Sequence, residues 1–486
     1  MGKPEFLDFS QPRIKLLHYT WIAFFITFYI WFNMAPIAST MLEKLNWLTP
    51  DHIKILAIAN VALTIPARIV IGSLIDRFGP RKVFSILLMV MTIPILFFAF
   101  GTSFMQLLIA RLFLSCIGAG FVIGIRLVAD WFPPNMVGRA EGLYAGWGNF
   151  GSAFAAMTLP WIALEIFSQY ENGWRYALAL NALVSFVYGI IFYIVVRDTP
   201  EDKKFQGIKK TQPLIATSWS DLIQLIIWSF PLMGALGLLA WRLSNVQISN
   251  GSTEKFLTEK WLYAIWIILA IFFVMHIIKT LKINIPLLKK GIAIEDRYSF
   301  SSVAALNTTY FANFGAELAV VSMLPFFFQE TFSISPTLAG IVAGSFAFVN
   351  LFARPFGGWL SDKLGNRKRT MLIYMIGIAL GFFSMSFINA TWSLWLAVAV
   401  TIICSLFVQG AEGATFAVIP FVNKKMTGQI SGMAGAYGNV GAVVYLVIFS
   451  MVDAQTFFYI IAAGAAVSFL FCFFFLKEPK GSFAEE

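Results

Sequence analysis

Charge is scarce in this sequence. Only 12% of its residues are Asp, Glu, Lys or Arg, and 59% are hydrophobic. A soluble chain of 486 residues cannot cover itself with so little polar surface. Cysteine and histidine are scarcer still, three of each. Cys116, Cys404 and Cys472 fall in or near hydrophobic runs, and no CxxC or Cys/His cluster occurs, so neither metal nor disulfide chemistry is expected. There is no nucleophile elbow, no phosphate-cradling loop and no His/Cys/Asp constellation, so the reading is not an enzyme and needs no cofactor. The first apolar run is full length and lacks a cleavage site, so no signal peptide is expected.

What the sequence has in abundance is long apolar runs, with a mean hydropathy of +0.77. Runs of 18 or more residues suffice to cross ~30 Å of hydrocarbon as helices. They are expected at 18–38, 53–75, 82–101, 105–128, 139–168, 175–196, 222–241, 261–280, 299–328, 334–360, 370–388, 391–421, 427–452 and 454–476. That makes an all-α membrane protein of 14 spans. With both termini cytoplasmic, 25 of the 35 Lys and Arg lie in inner segments, six lie outside and four arginines lie within spans. The net charge of +10 is therefore topological, and no nucleic-acid partner is expected. The lipid bilayer is the expected partner, and a monomer the expected working unit.

The chain repeats itself. "PARIVIGSLIDRFGPRK", from Pro66 to Lys82, matches "FARPFGGWLSDKLGNRK", from Phe352 to Lys368, at an offset of 286. "GRAEGLYAGWGNFGSA", from Gly138, matches "GQISGMAGAYGNVGA", from Gly428, at an offset of 290. The second match superposes Gly148, Asn149 and Gly151 on Gly438, Asn439 and Gly441. The expected organisation is an N-terminal six-helix bundle (1–197), a linker region with an inserted transmembrane hairpin (198–298) and a C-terminal six-helix bundle (299–486). The hairpin, 222–280, carries no paired charges of interest and reads as structural.

Arg68 and Arg354 sit eight residues before Asp76 and Asp362, a helical rise of ~12 Å, and so at membrane depth. An arginine at a helix centre costs roughly 2.5–3.5 kcal/mol on insertion scales. Two readings stand: a buried structural arginine bonded to nearby carbonyls or carboxylates, or an anion site with two guanidinium forks. The repeat relation favours the second. Close helix packing accounts for the glycines at 138–153 and 428–442. It leaves unexplained why Asn149 and Asn439 share one register.

Two copies of a GxLxDRxGxRK-type loop, "GSLIDRFGPRK" and "GGWLSDKLGNRK", resemble the signature of the major facilitator superfamily. The resemblance implies two bundles that rock about a midplane site. It also implies a cytoplasmic gate built from Asp76, Arg77, Arg81, Asp362 and Arg367. The twin "GxGNxG" segments, with one arginine in each of spans 53–75 and 334–360, resemble the nitrate/nitrite porter family within it. On that resemblance Arg68 and Arg354 match the substrate-clamping pair. Tyr310 and Phe314 match an aromatic pair lining the anion site, Phe121 an aromatic facing it, and Asn149 a pocket amide. Asn439 is its repeat mate. The insert at 198–298 departs from the family's usual twelve spans.

Nitrate is planar, singly charged and rich in acceptors, which suits the planar arginine fork and flanking aromatic faces. Glu317 lies seven residues after Tyr310 on its helix face, and Glu412 lies inside span 391–421. Each is either a structural partner of Arg111 or Arg126, or a proton-coupling acid. Anion entry against an inside-negative potential costs about 2.3 kcal/mol per 100 mV, which protons would offset. The expected function is a proton-coupled nitrate, or nitrite, importer of the bacterial inner membrane, serving nitrate assimilation. The alternatives are a nitrate/nitrite exchanger, a carrier of small organic anions and, least of all, a sensor.

Overall fold

The computed structural model describes residues 5–200, 214–247, 255–293, 296–423 and 426–478. They form twenty α-helices and, among the described residues, no strand beyond one isolated bridge between Gln247 and Lys255. In chain order the helices are α1 (Pro12–Trp31), α2 (Ala38–Lys44), α3 (Pro50–Ala62), α4 (Thr64–Phe78) and α5 (Pro80–Val90). Next come α6 (Thr92–Ala99), α7 (Phe104–Leu114), α8 (Gly120–Trp131), α9 (Pro134–Trp161) and α10 (Gly173–Val195). The hairpin is α11 (Trp219–Leu243) and α12 (Glu259–Lys290). Then follow α13 (Phe300–Ala312), α14 (Phe314–Phe332), α15 (Pro336–Phe348) and α16 (Asn350–Lys363). The last four are α17 (Arg367–Met385), α18 (Leu394–Val422), α19 (Thr427–Phe449) and α20 (Ala454–Phe475).

Several expected spans are broken once near their middle. One non-helical residue separates α3 from α4 (Leu63), α5 from α6 (Met91), α13 from α14 (Asn313) and α15 from α16 (Val349). At Asn313 the cause is visible. Its carboxamide oxygen accepts the Phe314 N–H at 2.6 Å, and its Nδ2 donates to Thr415 Oγ1 at 3.3 Å. A side chain thus takes over backbone bonding where the helix is interrupted.

Among the described residues thirteen helical stretches are long and apolar enough to cross a membrane. The remaining expected span, 139–168, falls on α9. That helix has 28 residues and so reaches ~42 Å, but its glycines and polar residues dilute its hydropathy. The chain is an integral membrane protein.

The contacts divide the chain into two compact units. Unit 1 is Met1–Asn46, Pro66–Thr211 and Val321–Pro355. Unit 2 is Trp47–Ile65, Gln212–Val320 and Phe356–Glu486. In unit 1, α1 runs along α9, α15 packs on α9, and α5 packs on α10. In unit 2, α13 runs along α19, α3 packs on α19, and α17 packs on α20. The pairings repeat element for element, as a duplicated sequence requires.

The hairpin belongs to unit 2. Asp221 in the first turn of α11 accepts the Phe300 N–H, at the start of α13, at 2.9 Å, and Thr217 donates to the Tyr298 carbonyl at 2.8 Å. At the other end Arg242 Nε donates to Ser450 Oγ at 2.7 Å. Between these anchors α11 packs on α19 and α12, and the Trp266 indole of α12 donates to the Gly237 carbonyl at 3.0 Å.

Candidate functional site

Arg68 lies on α4 and Arg354 on α16, both in unit 1 and only 7% and 3% exposed. Both guanidinium groups lie over one ring, Phe121 of α8, at 5.2 and 6.0 Å from its centroid. The repeat-related pair expected from the sequence is thus brought to one aromatic ring. A ring quadrupole attracts each cation, yet two like charges held this close repel one another. An anion lying between them would relieve that repulsion, so the arrangement is suited to hold one.

Phe121 is itself held from behind. Tyr144 of α9 donates its hydroxyl to the Gly120 carbonyl at 3.0 Å, and Phe24 of α1 stacks on Tyr144 at 4.8 Å and approaches Phe121 at 5.7 Å. Asn149 of α9 is fully buried, and neither of its amide atoms has a hydrogen-bond partner among the described residues. A buried amide ordinarily finds partners, so one with none is available for a ligand. Phe24, Phe28 and Tyr144 were not anticipated. The offset of 286 that links the arginines also carries Tyr310 and Phe314 onto Phe24 and Phe28, so for those two the signal was present, whereas Tyr144 falls on Ala434 at the offset of 290.

Unit 2 holds the corresponding group. Tyr310 of α13 and Phe314 of α14 stack at 5.0 Å with their planes 16° apart, and Phe416 of α18 meets Tyr310 edge-on at 5.1 Å. A Cβ added at Gly438 of α19 would fall under 3.0 Å from both rings of the stack, so only glycine lets α19 approach. Gly148 plays the same part against Phe24 in unit 1. Asn439 differs from Asn149: its Nδ2 donates to the Gly435 carbonyl of its own helix at 3.1 Å, and only Oδ1 is left over.

Glu317 and Glu412 are buried in unit 2, on α14 and α18. The arginines weighed as their structural partners lie in unit 1. Arg111 donates to Asn33 Oδ1 at 2.7 Å and lies over Phe98 at 3.8 Å, while Arg126 pairs with Asp130 at 2.9 Å.

The expected gate residues show an arrangement absent from the sequence reading. Arg81 gives its backbone N–H to Asp198 at 2.7 Å, and its guanidinium lies over Tyr193 at 4.8 Å. Arg367 and Lys368 give theirs to Glu478 at 3.0 and 2.7 Å, and the Arg367 guanidinium lies over Phe421 at 4.2 Å. Asp198 and Glu478 thus sit at the N-termini of α5 and α17, where a carboxylate satisfies free N–H groups and the helix dipole. Asp76 is partly buried and Arg77 exposed; the Asp362 side chain lies outside the described residues.

The helices are those of a membrane protein built from a repeated half. A family model described as Major Facilitator Superfamily matches residues 20–307 and 306–486. The chain is 47% identical to the nitrate/nitrite transporter NrtP of Nostoc punctiforme over 484 residues, covering 99% of this chain and 95% of that protein. It is 25% identical over 441 residues to the high affinity nitrate transporter 2.7 of Arabidopsis thaliana, covering 90% and 77%. Among solved structures, the partially occluded inward open xylose transporter XylE from E. coli superposes with a TM-score of 0.61, at 15% identity over 96% of this chain and 100% of that one. That likeness concerns the fold alone. The chain belongs to the nitrate/nitrite porter family of the major facilitator superfamily. It is a transporter and not an enzyme.

Proposed function

We propose that this protein carries nitrate, and nitrite with it, across the bacterial inner membrane by alternating access, with both termini cytoplasmic. The observation that supports the reading most is the pair of guanidiniums over Phe121. In this reading Arg68 and Arg354 take the oxygens of a planar anion, Phe121 offers it a flat face, and Asn149 donates its unused amide. Unit 2 supplies its own anion-contacting group, Tyr310 and Phe314, with Asn439 at the repeat position. Relatives named for nitrate and nitrite transport, one of them 47% identical, support the choice of anion. Transport is coupled to protons in this reading, with Glu317 the first candidate acid and Glu412 the second. The gate comprises Asp76, Arg77, Arg81, Asp362 and Arg367.

Uptake of isotope-labelled nitrate into proteoliposomes tests the reading, with nitrite, chloride, phosphate and citrate as competitors. Nitrite alone should compete at comparable concentration. Efficient competition by citrate would move the assignment to a carrier of organic anions.

A further inference from the structure

Four polar side chains lie close together along α13 and its break, and three of them are occupied. Thr308 donates to the Ala305 carbonyl at 2.7 Å and receives Ser468 Oγ at 3.2 Å. Thr309 donates to the Leu306 carbonyl at 2.8 Å and meets Thr415 Oγ1 at 3.2 Å. Asn313 uses its oxygen on Phe314 and its nitrogen on Thr415. Asn307 is the exception. It is fully buried, and neither Nδ2 nor Oδ1 has a hydrogen-bond partner among the described residues.

An unsatisfied buried polar group is destabilising, because it gives up its bonds to water and gains none in return. The helix could have carried a leucine or alanine there at no such cost. Its neighbours show that acceptors are within reach on this helix, since Thr308 and Thr309 both find a carbonyl one turn back. Position gives the amide a use. Tyr310 follows Asn307 at i+3 on α13, so the two side chains share one helix face, and Phe314, just past the break at Asn313, stacks on Tyr310. The Asn307 level lies ~4.5 Å along the axis from that of Tyr310. Among the fully buried, described asparagines, only Asn149 likewise leaves both amide atoms unused. Asn149 lies in unit 1, which holds the arginine pair; Asn307 lies in unit 2, beside the stacked aromatics.

We infer that Asn307 is an anion-binding residue of unit 2, whose Nδ2–H groups donate to the oxygens of the transported planar oxyanion next to Tyr310 and Phe314. The inference rests on the nitrate/nitrite reading above. A carboxamide suits the task because it orients oxygen acceptors without a further positive charge, which would slow release. Asn307 is absent from the family resemblance, and its own sequence context, "ALNTTYF", shows only a polar residue in an apolar helix.

The test uses the purified full-length chain, titrated calorimetrically with sodium nitrate and, as control, sodium sulfate. Thermal unfolding is recorded without either anion. Asn307→Leu should weaken nitrate binding about tenfold or more, the loss of one hydrogen bond to a charged ligand. Its unfolding temperature should equal or exceed that of the wild type, because an unsatisfied group is gone. Asn307→Ser, with one donor, should fall between the two in affinity. Wild-type affinity in Asn307→Leu overturns the inference. So does a marked fall in the unfolding temperature of both variants without anion, which would make Asn307 a packing residue. A wild type that binds no nitrate overturns the reading beneath the inference, and that result is distinct from a silent variant.

Discussion

Phe121 with an arginine on either approach poses a problem in electrostatics that only geometry can solve. Lysine would keep both charges and lose both forks, because an ammonium offers no planar pair of donors to a planar anion. Arg68→Lys and Arg354→Lys are each expected to fold and to bind nitrate 10–100-fold more weakly, in line with about 1.5–3 kcal/mol for a charge-assisted hydrogen bond. Calorimetric titration with nitrate checks this, and affinity within twofold of wild type in either variant would refute the clamp. At this scale the sequence was informative where a residue was both costly and duplicated. An arginine in an apolar helix stands out, and its copy 286 residues later stands out again. Phe24 and Tyr144 did not, because one aromatic among 51 phenylalanines and 14 tyrosines carries no such cost. Only the superposition of repeats, or the coordinates, separates them from lipid-facing neighbours.

At the level of elements, helix ends carry information that hydropathy cannot. Gly79 precedes α5 with a φ of +87°, and the carboxylate that meets the start of that helix comes from Asp198, past the end of α10. Glu478, past the end of α20, does the same for α17. These acids were passed over because they are distant in sequence from the N–H groups they satisfy. Burial pushes the Asp198 carboxyl up, against the pull of the Arg81 N–H and of the Arg81 and Lys82 charges. A carboxyl whose folded pKa is raised contributes stability below the ordinary carboxylate range and loses it as pH rises through the folded value. The unfolding temperature of the wild type is therefore expected to fall as pH rises from the ordinary carboxylate range through the raised folded value. Asp198→Asn should lack that fall, and Asp198→Ala should in addition lose about 1 kcal/mol, as for a missing cap. Scanning calorimetry in detergent across pH 4–7 checks both, and an unchanged fall in Asp198→Asn would assign it elsewhere. The breaks at Leu63, Met91, Asn313 and Val349 were equally hidden. None carries a proline or glycine at the break itself, and Asn313 ends its helix through a tertiary contact with Thr415.

For the molecule as a whole, the question is what travels with the anion. If Glu317 carries the coupling proton, Glu317→Gln mimics its protonated form. Nitrate binding and counterflow should then persist, while uptake driven by a pH gradient drops at least tenfold. Proteoliposomes containing the wild type should show inward positive current and internal acidification on adding nitrate. Strict dependence on internal nitrite, with no pH change, would instead mark an exchanger. The overall architecture was legible in the sequence because apolar runs, basic loops and an internal repeat are global signals. The helix at α9 was legible too, although its glycines weaken the very hydropathy that defines a span. The chain passes from one unit to the other within helices, at Ile65–Pro66, Val320–Val321 and Pro355–Phe356, which hydropathy does not mark.

The hairpin has a further consequence. Only 6% of the most apolar window of α12 is buried in protein, against 28% for α11. The bilayer therefore meets much of this flank through α12, a helix of 32 residues with lysines at its end, rather than through the transport helices behind it. Acyl chains that would otherwise wet the α11 face of α19 and α13 are replaced by a fixed apolar shim. The first apolar layer around that face is therefore polypeptide of fixed sequence, not exchangeable lipid.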